Sequence, residues 1–188
     1  AHFHAGRLAH VQTVCAAILA VSPDMFEALA LLGSAAFQQG DLARAESGFR
    51  HAAAIRPDDH SVWSNLASCL NRLGRSDEAL AIHERLAQST PRSATQWNNY
   101  GCTLAALDRS AEAEAAFRQA LTLRPDYVNA MVNKARVLKT LGRLDEAELD
   151  CRRAGALDPA SADALGVLGN VLLAQGRAED ALSAHCLA

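Results

Sequence analysis

Apolar and polar positions alternate along this chain with the period of a helix, most clearly in ATQWNNYGCTLAALDRSAEAEAAFRQALTLRP. There Trp97, Tyr100, Gly101 and Leu104 fall at i, i+3, i+4 and i+7, one face of an α-helix. Asp108, Arg109 and Ser110 break the pattern, and a second apolar face follows at Ala113, Ala116, Phe117, Ala120 and Leu121. The pattern predicts two amphipathic helices joined by a tight turn.

The pattern recurs with a period of 34 residues. All five prolines obey it: Pro23, Pro57, Pro91, Pro125 and Pro159. So do a glycine series (Gly6, Gly40, Gly74, Gly142, Gly176, with Asp108 as its exception) and an alanine series (Ala45, Ala79, Ala113, Ala147, Ala181). A further series holds only Gly33, Ala67, Gly101, Ala135 and Gly169. The glycine series falls at the turn inside each helix pair, where a positive φ suits Gly and is tolerated by Asp. Each proline follows a second helix, which its ring and missing N–H stop. The small residues let paired helices approach closely.

The spacing WxxLGxxY…A…F…A…P resembles the tetratricopeptide repeat along the whole chain, with SVWSNLASCLNRLGRSDEALAIHERLAQSTP and AEAEAAFRQALTLRP as close matches. The resemblance implies an all-α fold, a right-handed superhelical solenoid of antiparallel helix pairs. In its register residues 1–25 are a partial repeat that begins inside a first helix. Residues 26–59, 60–93, 94–127 and 128–161 are complete repeats, and 162–188 are an incomplete one. The apolar terminal SAHCLA lacks the polar cap of a finished array, so the chain is expected to be a fragment of a longer protein.

Composition narrows the choice of function. The 188 residues include 40 alanines and only 5% aromatics, which argues against an all-β fold. The net charge of −3, from 18 basic and 21 acidic residues without a basic stripe, argues against nucleic acid as partner. No stretch is apolar for long enough to cross a membrane, and the first ten residues lack the regions of a signal peptide. Cys15, Cys69, Cys102, Cys151 and Cys186 are odd in number, make no CxxC pair and fall at four different repeat offsets. They read as reduced packing residues of a cytoplasmic protein.

By the family resemblance, the first helices line a concave groove. Asn65, Asn99 and Asn133 share one inward offset and form an expected three-rung ladder; Leu31 and Val167 interrupt it on either side. Asparagine carries both a donor and an acceptor, so it can pair with a backbone N–H and C=O together. First helices about 8–10 Å apart would meet an extended peptide at about every third residue. Asn98 and Asn129 lie beside the ladder, and Arg72, Arg136 and Lys139 would attract acidic side chains, opposed by Glu27 and Asp163. The competing reading is that the asparagines bond within the scaffold. A protein or peptide partner bound in the groove is the primary expectation.

Two narrower readings accompany it. The segments SNLASCL, NNYGCTL and RLGRSDEAL are similar to repeats of O-linked N-acetylglucosamine transferases, and HAGRLAHVQTVCAAILAVSPD is similar to the opening repeat of bacterial proteins with that domain. This implies the substrate-recognition region of such an enzyme, its catalytic domain lying outside these residues. Alternatively, apolar ends could stack head to tail in self-association. The lysine–asparagine–arginine clamp of chaperone-tail-binding repeats fits less well, because Ala30, Ser34 and Thr95 stand at its anchor positions.

No enzymatic activity, cofactor or metal is expected of the chain itself. His2 and His4 do not share a helix face, although His10, or His185 with Cys186, could be thought to join a metal. Cys102 has no histidine on its face to activate it. Glu114–Arg118 and Glu148–Arg152, at i,i+4 spacing, read as helix support. Lys134 stands where other repeats have Leu32, Leu66, Tyr100 and Leu168; it is expected to carry its ammonium to the surface and leave its repeat the weakest.

Overall fold

The computed structural model describes residues 2–87 and 93–186, with side chains from residue 8 onward except Ala87 and His185. Among these residues it is an all-α helical repeat array of eleven helices without strands. The chain divides into two units, Ala1–Thr90 and Pro91–Ala188. The first holds α1 (His2–Val21), α2 (Phe26–Gln39), α3 (Leu42–Ile55), α4 (His60–Arg72) and α5 (Ser76–Ala87). The second holds α6 (Ala94–Ala106), α7 (Ser110–Leu123), α8 (Val128–Thr140), α9 (Leu144–Leu157), α10 (Ala162–Ala174) and α11 (Ala178–Cys186).

Each first helix packs on the second helix that follows it, and the turn between them is the same each time. Gly40, Gly74, Gly142 and Gly176 have φ of 83°, 76°, 76° and 80°, and Asp108 takes 57°. In the first pair the Gly40 N–H donates to the Phe37 carbonyl and the Asp41 N–H to the Ala36 carbonyl. Equivalent bonds close the turns at Gly74, Asp108, Gly142 and Gly176, so carbonyls left over at the helix end are satisfied. Gly6 departs from the expectation: α1 runs through it without a turn.

Several first helices are capped by a side chain at their start. The Asp59 carboxylate accepts from the backbone N–H groups of Ser61 and Val62, and the Ser161 hydroxyl from that of Ala164. Ser93 and Gln96 form a reciprocal capping box. The series of small residues sits where paired helices come closest. A Cβ added to Gly33 would lie 2.8 Å from the Phe49 ring, and one added to Gly101 would lie 2.6 Å from that of Phe117. Where the series has Ala67 or Ala135, the residue sixteen further on is His83 or Cys151, and all four are buried. Each Phe ring faces a glycine, and the smaller His83 and Cys151 stand sixteen positions after alanines.

Lys134 does not carry its ammonium to open solvent. Its Nζ lies 3.0 Å from Oδ2 of Asp150, and the two side chains are only 17% and 6% exposed. The repeats that have Leu32, Leu66 or Leu168 at the Lys134 offset have Gly48, Ile82 or Ala184 at that of Asp150. An apolar pair has been exchanged for an ionic one, so the lysine is compensated rather than stranded.

A second charged pattern ties neighbouring repeats together. Glu46 pairs with Arg50 and with Arg75, both at 2.8 Å. Glu114 pairs with Arg118 at 3.0 Å and Arg143 at 3.7 Å. Glu148 pairs with Arg152 at 2.8 Å and Arg177 at 2.9 Å. The i,i+4 arm supports the helix as expected; the other arm reaches the next repeat. Leu80 and Leu182 stand at the same offset in two other repeats.

The packing can be tested at Gly101 and the charges at Glu148. Gly101→Ala should destabilise the protein by about 1–3 kcal/mol in urea unfolding, since its Cβ overlaps the Phe117 ring. In a Phe117→Cys background, which reproduces the Ala135–Cys151 pair, the same change should cost almost nothing; equal costs in both backgrounds would refute the complementarity. For the charges, Arg152 chiefly, with Gln175 and Arg177, holds the Glu148 carboxyl below its ordinary pKa. A lowered carboxyl pKa contributes stability above the ordinary carboxylate pKa and loses it as pH falls through the native value. Glu148→Gln should therefore be less stable by about 0.5–1 kcal/mol at pH 7, with the gap closing towards pH 3 in pH-dependent thermal melts.

Candidate functional site

The second unit aligns three first helices, with α8 beside both α6 and α10. Their shared face carries a continuous run of polar contacts. Asn133 on α8 donates from Nδ2 to Oδ1 of Asn98 at 3.1 Å and to Sγ of Cys102 at 3.4 Å, both on α6. Arg136 donates from Nη1 to Oδ1 of Asn133 at 3.3 Å and from Nη2 to Oδ1 of Asp163 on α10 at 3.0 Å. Asn98 in turn donates to Oδ1 of Asn99 at 3.5 Å. The run crosses three helices through six side chains.

This arrangement changes the roles expected of the asparagines. Asn133 bonds Asn98, which is buried and stands one position before the repeat equivalent Asn99. The amide protons of Asn133 are directed at Asn98 and Cys102, while its Oδ1 keeps a second lone pair. A backbone N–H of a guest chain can be received at that oxygen. A guest carbonyl would take its proton from Arg136, whose five donors exceed the two contacts described. Backbone pairing at this rung is thus shared between Asn133 and Arg136.

The other expected site residues are spread more widely. Asn129 and Lys139 are exposed near the two ends of α8. Asn65 is exposed on α4, in the first unit. Arg72 is not directed at a guest: its Nη1 donates to the Phe37 carbonyl at 3.0 Å and its guanidinium lies 4.8 Å above the Phe37 ring. Glu27 is held by Arg56. Asp163, expected only to oppose the basic residues, pairs directly with Arg136 while remaining 79% exposed. Its signal in the sequence was its repeat offset, which is that of Asn129.

Cys102 lies within the run. Burial pushes its thiol up to about 11, against the opposing charge of Arg136, so the nucleophilic thiolate is scarce at neutral pH. Among the described residues no group of three or more His, Cys, Asp or Glu could hold a metal. The side chains of His2, His4 and His185 lie outside the described residues, and His10 is exposed. No described helix is long and apolar enough to cross a membrane. In the first unit an apolar groove of about 310 Å³ between α1 and α2 is lined by Val14, Ile18, Met25 and Leu31 among others.

Residues 63–187 match the profile of the middle TPR-like domain of cilia and flagella-associated protein 70, and residues 13–60 match the tetratricopeptide repeat. The chain belongs to the tetratricopeptide repeat family. No curated protein matches the sequence significantly. Among solved structures, this tetratricopeptide repeat chain is similar to TTC0263, a thermophilic TPR protein of Thermus thermophilus. They share 24% identity over 85% of this chain and 87% of the other, with a TM-score of 0.79. PilW, a type IV pilus biogenesis factor, has 24% identity over 90% of this chain and 79% of its own, also at a TM-score of 0.79. YrrB, described as a TPR protein with an unusual peptide-binding site, has 17% identity over 90% of this chain and 88% of its own, at a TM-score of 0.62.

The thiol chemistry gives a direct test of whether this repeat face is inert. Iodoacetamide at pH 7, followed by mass spectrometry of the peptides, should modify exposed Cys186 well before Cys102. Preferential labelling of Cys102 would show an activated nucleophile that its surroundings do not account for.

Proposed function

We propose that the protein is an interaction scaffold that captures an extended segment of a partner protein on the face of α6, α8 and α10. The observation that carries this reading is the run from Asn99 through Asn98, Asn133 and Arg136 to Asp163. It holds an amide oxygen and a guanidinium at fixed positions one turn apart on α8, a pairing suited to a peptide backbone. Rigid placement matters because an ordered receptor loses less entropy on binding than a mobile one. Similarity to a protein with a peptide-binding site supports the reading at the level of fold. Asn65 extends the asparagine series into the first unit.

A narrower reading is substrate recognition for a bacterial O-linked N-acetylglucosamine transferase-like enzyme, supported by the SNLASCL and NNYGCTL segments. A glycosyltransferase domain in the same reading frame would carry it; a different downstream domain would remove it.

The main proposal is tested with an array of 15-residue peptides of diverse sequence probed with the whole chain. Binding peptides should lose at least tenfold in affinity to the Asn65→Ala, Asn99→Ala, Asn133→Ala triple variant, with the circular dichroism of the variant unchanged. Arg136→Gln should weaken the same peptides. Affinity that survives the triple substitution in a folded protein would sink the proposal.

A further inference from the structure

A cleft recurs beside the second helices of the second unit, and at Lys134 and Asp150 its floor is ionic. Between α9 and α10 it is lined by Arg152, Gly155, Pro159, Leu165 and Leu168 among others. One repeat earlier those offsets are Arg118, Leu121, Pro125, Met131 and Lys134, and they line a cleft of about 200 Å³ together with Thr122, Asp150 and Arg153. The first unit shows a third version at the same offsets. There Trp63 stands in place of Met131, Leu66 in place of Lys134 and Ile82 in place of Asp150, and the guanidinium of Arg85 lies 3.6 Å above the Trp63 ring.

These three versions separate what the scaffold needs from what the cleft has added. Leu168 and Leu66 show that an apolar side chain serves the fold at the Lys134 offset, so the ionic pair is not required for packing. Exchanging a buried ion pair for apolar residues is often neutral or stabilising. Lys134 nevertheless brings an ammonium to the cleft floor, where Asp150 neutralises it and keeps it tolerable. Arg153 occupies the offset of Arg85 but finds Met131 instead of a ring to stack on. Arg118 gives its Nη2 to Glu114 at 3.0 Å and has further N–H donors to offer. Three cations thus converge on a space that admits one small anionic group, with one carboxylate beneath them, while the Thr122 hydroxyl on its wall donates to the Arg118 carbonyl at 3.0 Å.

We propose that this cleft is a binding site for a single oxyanion, a phosphate or carboxylate group, separate from the peptide face on the first helices. Arg118 and Arg153 grip the anion from the rim, and Lys134 bridges it to Asp150. A planar guanidinium pairs in bidentate fashion with either kind of oxyanion, so the geometry selects the charge and size of the group. The bearer of the group is read from the comparison of two probes.

The whole chain is titrated with inorganic phosphate and, separately, with N-acetylglutamate amide, with sodium chloride of equal ionic strength as control. Nitrogen-15 spectra of the arginine Nε–H groups report binding. Saturable shifts of Arg118 and Arg153 with either probe, absent with chloride, are expected. Tighter binding of phosphate would indicate a phosphorylated partner, and tighter binding of the glutamate derivative an acidic side chain. The Lys134→Leu, Asp150→Ala double variant installs the Leu168–Ala184 pair and should remain folded with affinity lowered at least tenfold. Should it not fold, Arg118→Gln, Arg153→Gln leaves the buried floor intact and should show the same loss at the remaining Lys134 ammonium signal. No saturable shift in the native chain, equal shifts with chloride, or undiminished affinity in a folded variant would each overturn the proposal.

Discussion

The close approach of two helices at a residue with almost no side chain governs the rest of this structure. Gly33 and Gly101 leave space into which the rings of Phe49 and Phe117 fit, and nothing larger than hydrogen fits between them. Those rings are 1% exposed, and burying each contributes roughly 2–3 kcal/mol. The turn must return the second helix at the depth and angle this contact demands, which is why φ is positive at Gly40, Gly74, Asp108, Gly142 and Gly176. Helix separation then fixes where side chains on the outer faces stand, including Asn133 opposite Asn98.

Features set by local geometry were legible in the sequence. The period of 34 residues, the two helices per period, and the turn residue with Asp108 as its tolerated exception all depend on neighbours a few positions apart. The 34-residue spacing also exposed the series of small residues, although their covariation with Phe49, His83, Phe117 and Cys151 needed the offset of sixteen to be read as a contact. Gly6 is the converse case: it stands at the repeat offset of the turn glycines, yet α1 runs through it.

Contacts between repeats were less legible, because no local pattern marks a separation near 30 residues. Glu46 and Arg75, or Glu148 and Arg177, look like separate members of i,i+4 and i,i+3 pairs along the chain. Only the stacking of one pair on the next shows that each glutamate serves two arginines. The bond from Arg136 to Asp163 is likewise not visible from charge alone. Lys134 meets its partner within one repeat, but Asp150 stands sixteen residues further on, on the facing helix, beyond the reach of an i,i+4 pattern.

Repetition makes that pair informative. In a fold built once, a buried Lys–Asp pair cannot be compared with what the same site would hold if only packing mattered. Here the fold supplies the comparison itself: Leu168 with Ala184 and Leu66 with Ile82 occupy the same offsets in apolar form. The scaffold tolerates both, so its stability does not dictate the choice, and a function for the ionic version has to be sought in what its cleft presents. The same reasoning applies to the first helices, where Leu31 and Val167 stand at the offset of Asn65, Asn99 and Asn133. An exposed Leu31 and a buried Val167 show that the offset accepts apolar side chains in either setting. The asparagines are therefore not demanded by the helix, and the bonds that Asn133 makes with Asn98 and Arg136 organise a polar surface on a frame that would stand without it.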